Sequence, residues 1–366
     1  VRKCPYCDFN SHVRESIQED LWQQALLQDL QYAYSQTKDH QVKSIFFGGG
    51  TPSLMPPQLI ESLVSEVHKL WSPEANIEVS MEANPNSIEL AKFQDFKSAG
   101  VNRVSVGIQS LYDEQLKFLG RTHGRDEAIS ALKIAAKVFD RYSFDLIYAR
   151  PGQTKSEWQS ELEEALGYAD DHLSLYQLTI EPNTAFAHAH RRGELKMPEE
   201  ELTADLYEMT AEVVAKKGMR SYEVSNYSQA GSECQHNLIY WRYQDYVGVG
   251  PGAHGRITQD GTKYATKAYR APETWLAHTL EDGHGLQENL ALSQQDMLEE
   301  SVIMGLRLTE GMRRDVLGGD VMGRLNPIKL NEYQEQGLLV ISETHIKATN
   351  QGRLYLNYLI QNLLTF

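Results

Sequence analysis

The sequence predicts an α/β fold over residues 1–230, built on a parallel sheet, followed by a smaller α+β unit over 231–366. Three observations predict it. Short apolar runs alternate with helical-period stretches as far as about residue 230. The carboxyl ends of successive runs carry Gly-rich or polar residues, the place where α/β folds put their chemistry. Beyond that point the alternation stops, and Tyr, Gly and His are dense from 236 to 255.

Each element has its own signal. Ile17, Leu21, Ala25 and Leu30 give roughly helical spacing over 15–35. Val42–Phe47 reads as a strand that ends in Gly48-Gly49-Gly50-Thr51-Pro52. Leu59, Leu63, Val67 and Leu70 set a helix over Pro57–Trp71. Ile77–Met81 is a strand ending in Glu82-Ala83-Asn84-Pro85; Ser87 is expected to cap the next helix, and Gly100 to stop it. Val101–Val106 is a strand ending in Gly107-Ile108-Gln109-Ser110. Helices near 125–139, 154–169 and 199–217 separate strands at Tyr142–Tyr148, Leu173–Ile180 and Met219–Val224. Further on, helices are expected near 293–307 and 328–336, then strands Leu338–Ile341 and His345–Ala348, then a helix over 350–364. That order suggests a winged-helix-like end. The pattern alone leaves barrel and open sheet both possible, because each binds ligands at the same strand ends.

Composition excludes several classes. No apolar run approaches the roughly 20 residues that span a bilayer. A formal charge of −15 argues against a nucleic-acid surface. Peripheral membrane association stays open. Three cysteines, Cys4, Cys7 and Cys234, are too few for a disulfide framework and fit a reducing compartment, with the cytoplasm expected.

Cys4-x2-Cys7 by itself admits a redox pair, half of a zinc site completed by His12 and Cys234, or part of an iron–sulfur site. Lys3-Cys4-Pro5-Tyr6-Cys7-Asp8-Phe9 resembles the last part of CxxxCxxC, the motif of the radical S-adenosylmethionine (SAM) proteins. The resemblance extends through at least residues 1–255 and is closest to the oxygen-independent coproporphyrinogen dehydrogenase-like branch. It implies a partial (β/α)6 radical SAM barrel. Val1 does not read as a natural start, so the first strand and first cluster cysteine are expected upstream, that cysteine one residue before Val1.

The resemblance implies a [4Fe-4S] cluster held by three thiolates, with one iron left open for the amino and carboxylate groups of SAM. It makes Cys4 and Cys7 metal ligands. It also implies that Gly49, Gly50 and Thr51 line the methionine end of SAM, with Tyr6 near the adenine. Glu82 would meet the ammonium, Arg121 the carboxylate, and Gln109 and Asp145 the ribose. These pairings suit the chemistry: a zwitterion needs one anionic and one cationic partner, and Arg offers paired donors to a carboxylate. No catalytic side chain is assigned. Ala149-Arg150-Pro151 departs from the pattern, where Gly-Leu-Pro is commoner.

Within the branch, His236-Asn237-Leu238-Ile239-Tyr240-Trp241 matches HNxxYW of the HemW-type heme chaperones, and Phe9 stands where the dehydrogenase has a fourth cysteine. The resemblance implies a protein that binds heme and hands it to heme-accepting proteins. Imidazole is a common axial ligand, so His236 is the expected heme contact and His254 its rival. Arg242, Lys263, Lys267 and Arg270 are near enough in sequence to meet propionates. Two alternatives remain: decarboxylation of coproporphyrinogen III by a radical SAM enzyme, and a zinc-stabilised binding module.

Overall fold

The computed structural model describes residues 4–12, 18–74 and 76–364. Its contacts divide the chain into two units. The first holds the described residues of 1–17, 41–221 and 225–233; the second holds those of 18–40, 222–224 and 234–366. Helix α1 (Glu19–Gln36) therefore packs in the second unit, although it precedes nearly all of the first in sequence.

The first unit alternates β1 (Ser44–Phe47), α2 (Pro57–Trp71), β2 (Glu78–Ala83), α3 (Ser87–Ala91), α4 (Phe93–Ser98) and β3 (Arg103–Gln109). It continues with α5 (Asp113–Phe118), α6 (Arg125–Val138), β4 (Arg141–Tyr148), α7 (Lys155–Ala165) and β5 (His172–Gln177). It closes with α8 (Ala185–Arg191), α9 (Glu200–Ala215), β6 (Arg220–Ser221) and β7 (Asn226–Ser228). The sheet runs β1-β2-β3-β4-β5-β7-β6. β1 to β5 are parallel, and β7 is antiparallel to both of its neighbours. The expected strand at Met219–Val224 shortens to β6, because the chain turns back at once to place β7 against β5. Asn86, not Ser87, caps α3: its side chain accepts from Glu89 N. Gly100 does end the segment, at φ +102°.

Strand periodicity divides the two faces of this sheet. Val79, Met81, Val104, Val106, Phe144, Leu146, Leu173 and Leu175 are buried in the core that also takes residues of α2, α4, α6, α7 and α9. The intervening positions are polar: Glu78, Ser80 and Glu82; Arg103 and Ser105; Arg141, Ser143 and Asp145; His172 and Ser174. A parallel strand covered on both faces is ordinarily apolar throughout. These strands alternate, so the face away from the helices is chemically equipped along its length.

The second unit adds α10 (Gln235–Trp241), β8 (His254–Gln259), β9 (Thr262–Ala268), α11 (Pro272–Asp282) and β10 (Leu286–Ala291). After them come α12 (Gln294–Gly305), β11 (Met312–Arg313), α13 (Pro327–Glu335), β12 (Leu339–Ile341), β13 (His345–Ala348), α14 (Asn350–Leu354) and α15 (Leu356–Leu363). It contains two antiparallel sheets, β10-β9-β8 and β11-β13-β12. The helix expected over 350–364 is broken at Tyr355 into α14 and α15. Asp29 of α1 is the buried tie in this unit. Its carboxylate accepts from Gly250 N at 3.0 Å, Gly285 N at 3.1 Å and Trp275 Nε1 at 3.3 Å. Among the described residues no helix is long and apolar enough to cross a membrane.

Candidate functional site

The cysteine segment forms a tight turn, with Cys7 N donating to Cys4 O at 3.2 Å. It rests on Gly120, which has φ +68°; a Cβ there would lie 2.5 Å from Pro5 Cδ. Only glycine fits both the conformation and the contact. Phe186 N of α8 donates to Pro5 O at 3.0 Å, and the Tyr6 ring lies 6.4 Å from that of Phe186. The loop is thus pinned from two sides, with both cysteines half-buried.

Arg121 is the hub. Its guanidinium donates to Asn84 Oδ1 at 2.7 Å and Gly107 O at 2.9 Å, and it reaches Cys4 Sγ at 3.5 Å. Burial opposes its charge, but Tyr6 and Cys4 beside it hold its pKa above the ordinary value. Burial pushes the Tyr6 hydroxyl well above its usual range, against the pull of Arg121. Asn84 carried no role in the sequence reading; its place just after β2 is the only signal that marks it.

The carboxylates are less well served. Glu82 accepts from Gly49 N at 3.2 Å, and among the described residues no basic side chain pairs with it. Burial, and then the charge of Asp145, push its pKa up to about 7. Asp145 is pushed up to about 6 by burial, against hydrogen bonds from Ser105 (3.1 Å) and Ser174 and the charges of Arg103 and Arg121. A buried acid raised in this way, with a second acid near enough to add to the shift, would gain from a bound cation.

The glycine segment leads away from β1 beside Glu82. Gly49, at φ +112°, has nothing within 4 Å of where a Cβ would stand, which leaves its surface open. A Cβ on Gly50 would lie 3.0 Å from Ser11 Cβ, so that glycine permits a close chain crossing. Thr51 is half-buried and its hydroxyl donates to Gly50 O at 2.6 Å. Gln109 ends β3 in the left-handed region, at φ +72°, just after a register irregularity in the β3–β4 pairing. A Cβ on Gly107 would lie 2.9 Å from Gln109 Nε2, so the amide folds back over that glycine, next to Arg121. Cys4, Tyr6, Gly49, Glu82, Gln109 and Arg121 thereby gather at the carboxyl ends of β1 to β3, with Asp145 nearby inside β4. Among the described residues no three His, Cys, Asp or Glu side chains are grouped to hold a metal, so Cys4 and Cys7 offer two thiolates and the described chain offers no third.

His236 lies on α10 in the second unit. Its ring stands edge-on to Tyr240 at 4.6 Å, and Tyr240 meets Tyr246 at 4.3 Å. Cys234 is buried with Tyr222, Leu238 and Leu308. His254 is exposed at the start of β8, and partial burial with the Arg256 and Lys267 cations holds its pKa below the ordinary value. The expected propionate partners are largely engaged elsewhere. Arg242 grips Glu310 through two hydrogen bonds of 2.7 and 3.0 Å. Lys263 is buried against Asp245 at 2.9 Å, and Lys267 pairs with Glu288 at 3.0 Å.

Comparison with known proteins gives this geometry a family. The model of the radical SAM superfamily matches residues 1–165, and that of the HemN C-terminal domain matches residues 292–355. Heme chaperone HemW of Escherichia coli K12 is 37% identical over 367 residues, covering 99% of this chain and 94% of the relative. The chain belongs to the HemW-type family of radical SAM proteins. Another relative in this family is the mitochondrial radical S-adenosyl methionine domain-containing protein 1 of Bos taurus. It is 35% identical over 377 residues, covering 100% of this chain and 85% of the relative. The coproporphyrinogen III oxidase HemN of E. coli superposes with a TM-score of 0.81 at 21% identity, covering 100% of this chain and 87% of that one. That likeness shows the fold, a radical SAM partial barrel followed by a smaller domain.

Proposed function

We propose that this HemW-type protein is a heme chaperone, which binds heme and passes it to heme-accepting proteins while carrying a [4Fe-4S] cluster and SAM at the strand ends of its barrel. The observation that carries the reading is the match along 99% of the chain to a relative named as a heme chaperone. Phe9, in place of a fourth cysteine, favours it over coproporphyrinogen dehydrogenation.

The residues present fit the cofactors. Cys4 and Cys7 would give two thiolates, beside an arginine that stabilises negative sulfur. Glu82 is a carboxylate waiting for a cation, and would take the SAM ammonium. Arg121 would hold the SAM carboxylate, with the Gly49, Gly50 and Thr51 backbone along the methionine end. Gln109 and Asp145 would take the ribose, and Tyr6 would lie near the adenine. When bound, the cluster supplies an electron to SAM. His236, with the Tyr240 and Tyr246 rings beside it, would offer heme a nitrogen ligand and a flat aromatic surface. A reducing compartment suits cysteines that form no disulfide. The cytoplasm is the proposed site, and the mitochondrial relatives extend that to the matrix.

The test uses purified full-length protein reconstituted without oxygen. The expected result is about four iron and four sulfide per chain, stoichiometric heme binding, and no protoporphyrinogen from coproporphyrinogen III. His236→Ala should weaken heme binding at least about tenfold. Turnover of coproporphyrinogen would overturn the chaperone reading. Zinc without labile sulfide would overturn the cluster reading.

A further inference from the structure

Arg150, the residue that departs from the family pattern, is 1% exposed, and its partner Glu161 on α7 is 0% exposed. The guanidinium pairs with Glu161 Oε2 and also donates to Ser110 Oγ at 2.8 Å. Glu161 Oε1 in turn accepts from Ser110 Oγ and from Leu111 N, the latter at 2.8 Å. Ser110 Oγ further accepts from Tyr112 N at 3.1 Å. Ser110 and Leu111, the two residues that follow Gln109, are therefore fastened to a buried ion pair, and Tyr112 is tied to it through Ser110.

The placement of strain matches these fastenings. Gln109 and Ala149 both sit in the left-handed region, at φ +72° and +55°. Each lies at the carboxyl end of its strand, β3 or β4, and each is followed directly by a member of the network, Ser110 or Arg150. Side chains with a Cβ leave that region unless their surroundings hold them there. At Gln109 the holding group is the Ser110–Glu161–Arg150 cluster. Its effect is to turn the amide back over Gly107.

We propose that Arg150, Glu161 and Ser110 are positioning residues, which lock Gln109 in its left-handed backbone so that its amide is preset for the ribose of an adenosyl ligand. The proposal rests on the reading of Gln109 as a ribose contact. None of the three touches the ligand; they act through Gln109 alone. Preset geometry lowers the ordering cost of binding, so the consequence is tighter adenosyl binding.

The experiment is a double-mutant cycle on anaerobically reconstituted protein, with S-adenosylhomocysteine as the probe and calorimetric Kd as the readout. Gln109→Ala should weaken binding about tenfold, the worth of one lost hydrogen bond. Ser110→Ala should weaken it at least about threefold by freeing the backbone. The double variant should bind like Gln109→Ala alone, because Ser110 acts only through Gln109. Additive losses, or wild-type affinity in Ser110→Ala, would overturn the positioning role and leave the ribose reading standing. Wild-type affinity in Gln109→Ala would overturn both. Should Ser110→Ala fail to fold, Arg150→Met/Glu161→Met removes both buried charges together and tends to preserve stability. That variant should show the same loss and the same non-additivity with Gln109→Ala; wild-type affinity in it would overturn the proposal.

Discussion

The strand ends of the first unit and the α10–β9 region of the second treat charge in opposite ways. At the strand ends the charge of Asp145 reaches a buried Glu82 that has no cationic partner among the described residues, and their pKa values rise to about 7 and about 6. In the second unit Asp245, Glu300 and Glu310 are each held below the ordinary carboxylate range, and each has a cation of its own: Lys263, Arg256 or Arg242. One region is left incomplete by its own residues. In the other each of these acids has its own cation, and the His236, Tyr240 and Tyr246 rings pack edge-on in sequence. The contrast separates a place where an acid lacks a cation from one where the acids are paired; on the proposed reading the first takes a charged ligand and the second a flat, largely apolar one.

The largest expected effect lies just behind the strained strand ends. Glu161→Ala strands the Arg150 charge in the interior and should cost about 3–5 kcal/mol in denaturant unfolding. A loss below about 1 kcal/mol would mean the pair is not buried in solution. Asp29→Ala comes next. It leaves Gly250 N, Gly285 N and the Trp275 indole without an acceptor, and should cost about 2–3 kcal/mol. A single unfolding transition monitored by Trp fluorescence would read it. An unchanged midpoint would show that water replaces the carboxylate.

Glu82 gives a pH-dependent effect of opposite sign. Its folded pKa of about 7 lies above the ordinary 4.5, so the folded state binds more protons between those values. Its contribution is fully favourable below pH 4.5 and is lost as pH rises through 7. Glu82→Gln should therefore stabilise the ligand-free protein by about 1–3 kcal/mol at pH 8, after allowance for solvent at the open strand end. The gain should vanish near pH 4. The same sign predicts that S-adenosylhomocysteine binds more tightly as pH rises from 5.5 to 8, since its ammonium needs the anion. A loss of stability in Glu82→Gln at pH 8 would show instead that Glu82 is paired in solution.

Much of the first unit was legible because its signals are local. Helix period fixed α2 to the residue, and Gly100 ended its segment as a left-handed glycine should. The short helices α5 and α8 gave no such signal, and the sheet β10-β9-β8 lies almost wholly beyond the Tyr-, Gly- and His-rich stretch, where the sequence marked no element. The motifs located the strand-end residues, but their support was hidden. Arg150, Glu161 and Ser110 come from three elements, and an exposed or a buried arginine reads alike in sequence. The alternation Ser80-Met81-Glu82 and Ser143-Phe144-Asp145 was available, and it marks a sheet face that is not covered by apolar packing. The propionate expectation for Arg242 and Lys263 rested on sequence proximity, which carries no information about the acids that claimed them.

The smallest effect tests the satisfied side of the contrast. Arg242 and Glu310 are 39% and 44% exposed at the side chain, so their pairing is worth little in water. Arg242→Ala should change unfolding free energy by less than about 1 kcal/mol. With its two bonds committed to Glu310, the guanidinium has no unmet demand for a propionate, and heme affinity in Arg242→Ala should stay within about twofold of wild type. His236→Ala, measured in the same titration, should lose far more. If Arg242→Ala instead cost tenfold in heme affinity while Glu310→Gln strengthened binding, the pair would be a latch that opens for the propionate. The second unit would then be as incomplete without its ligand as the first.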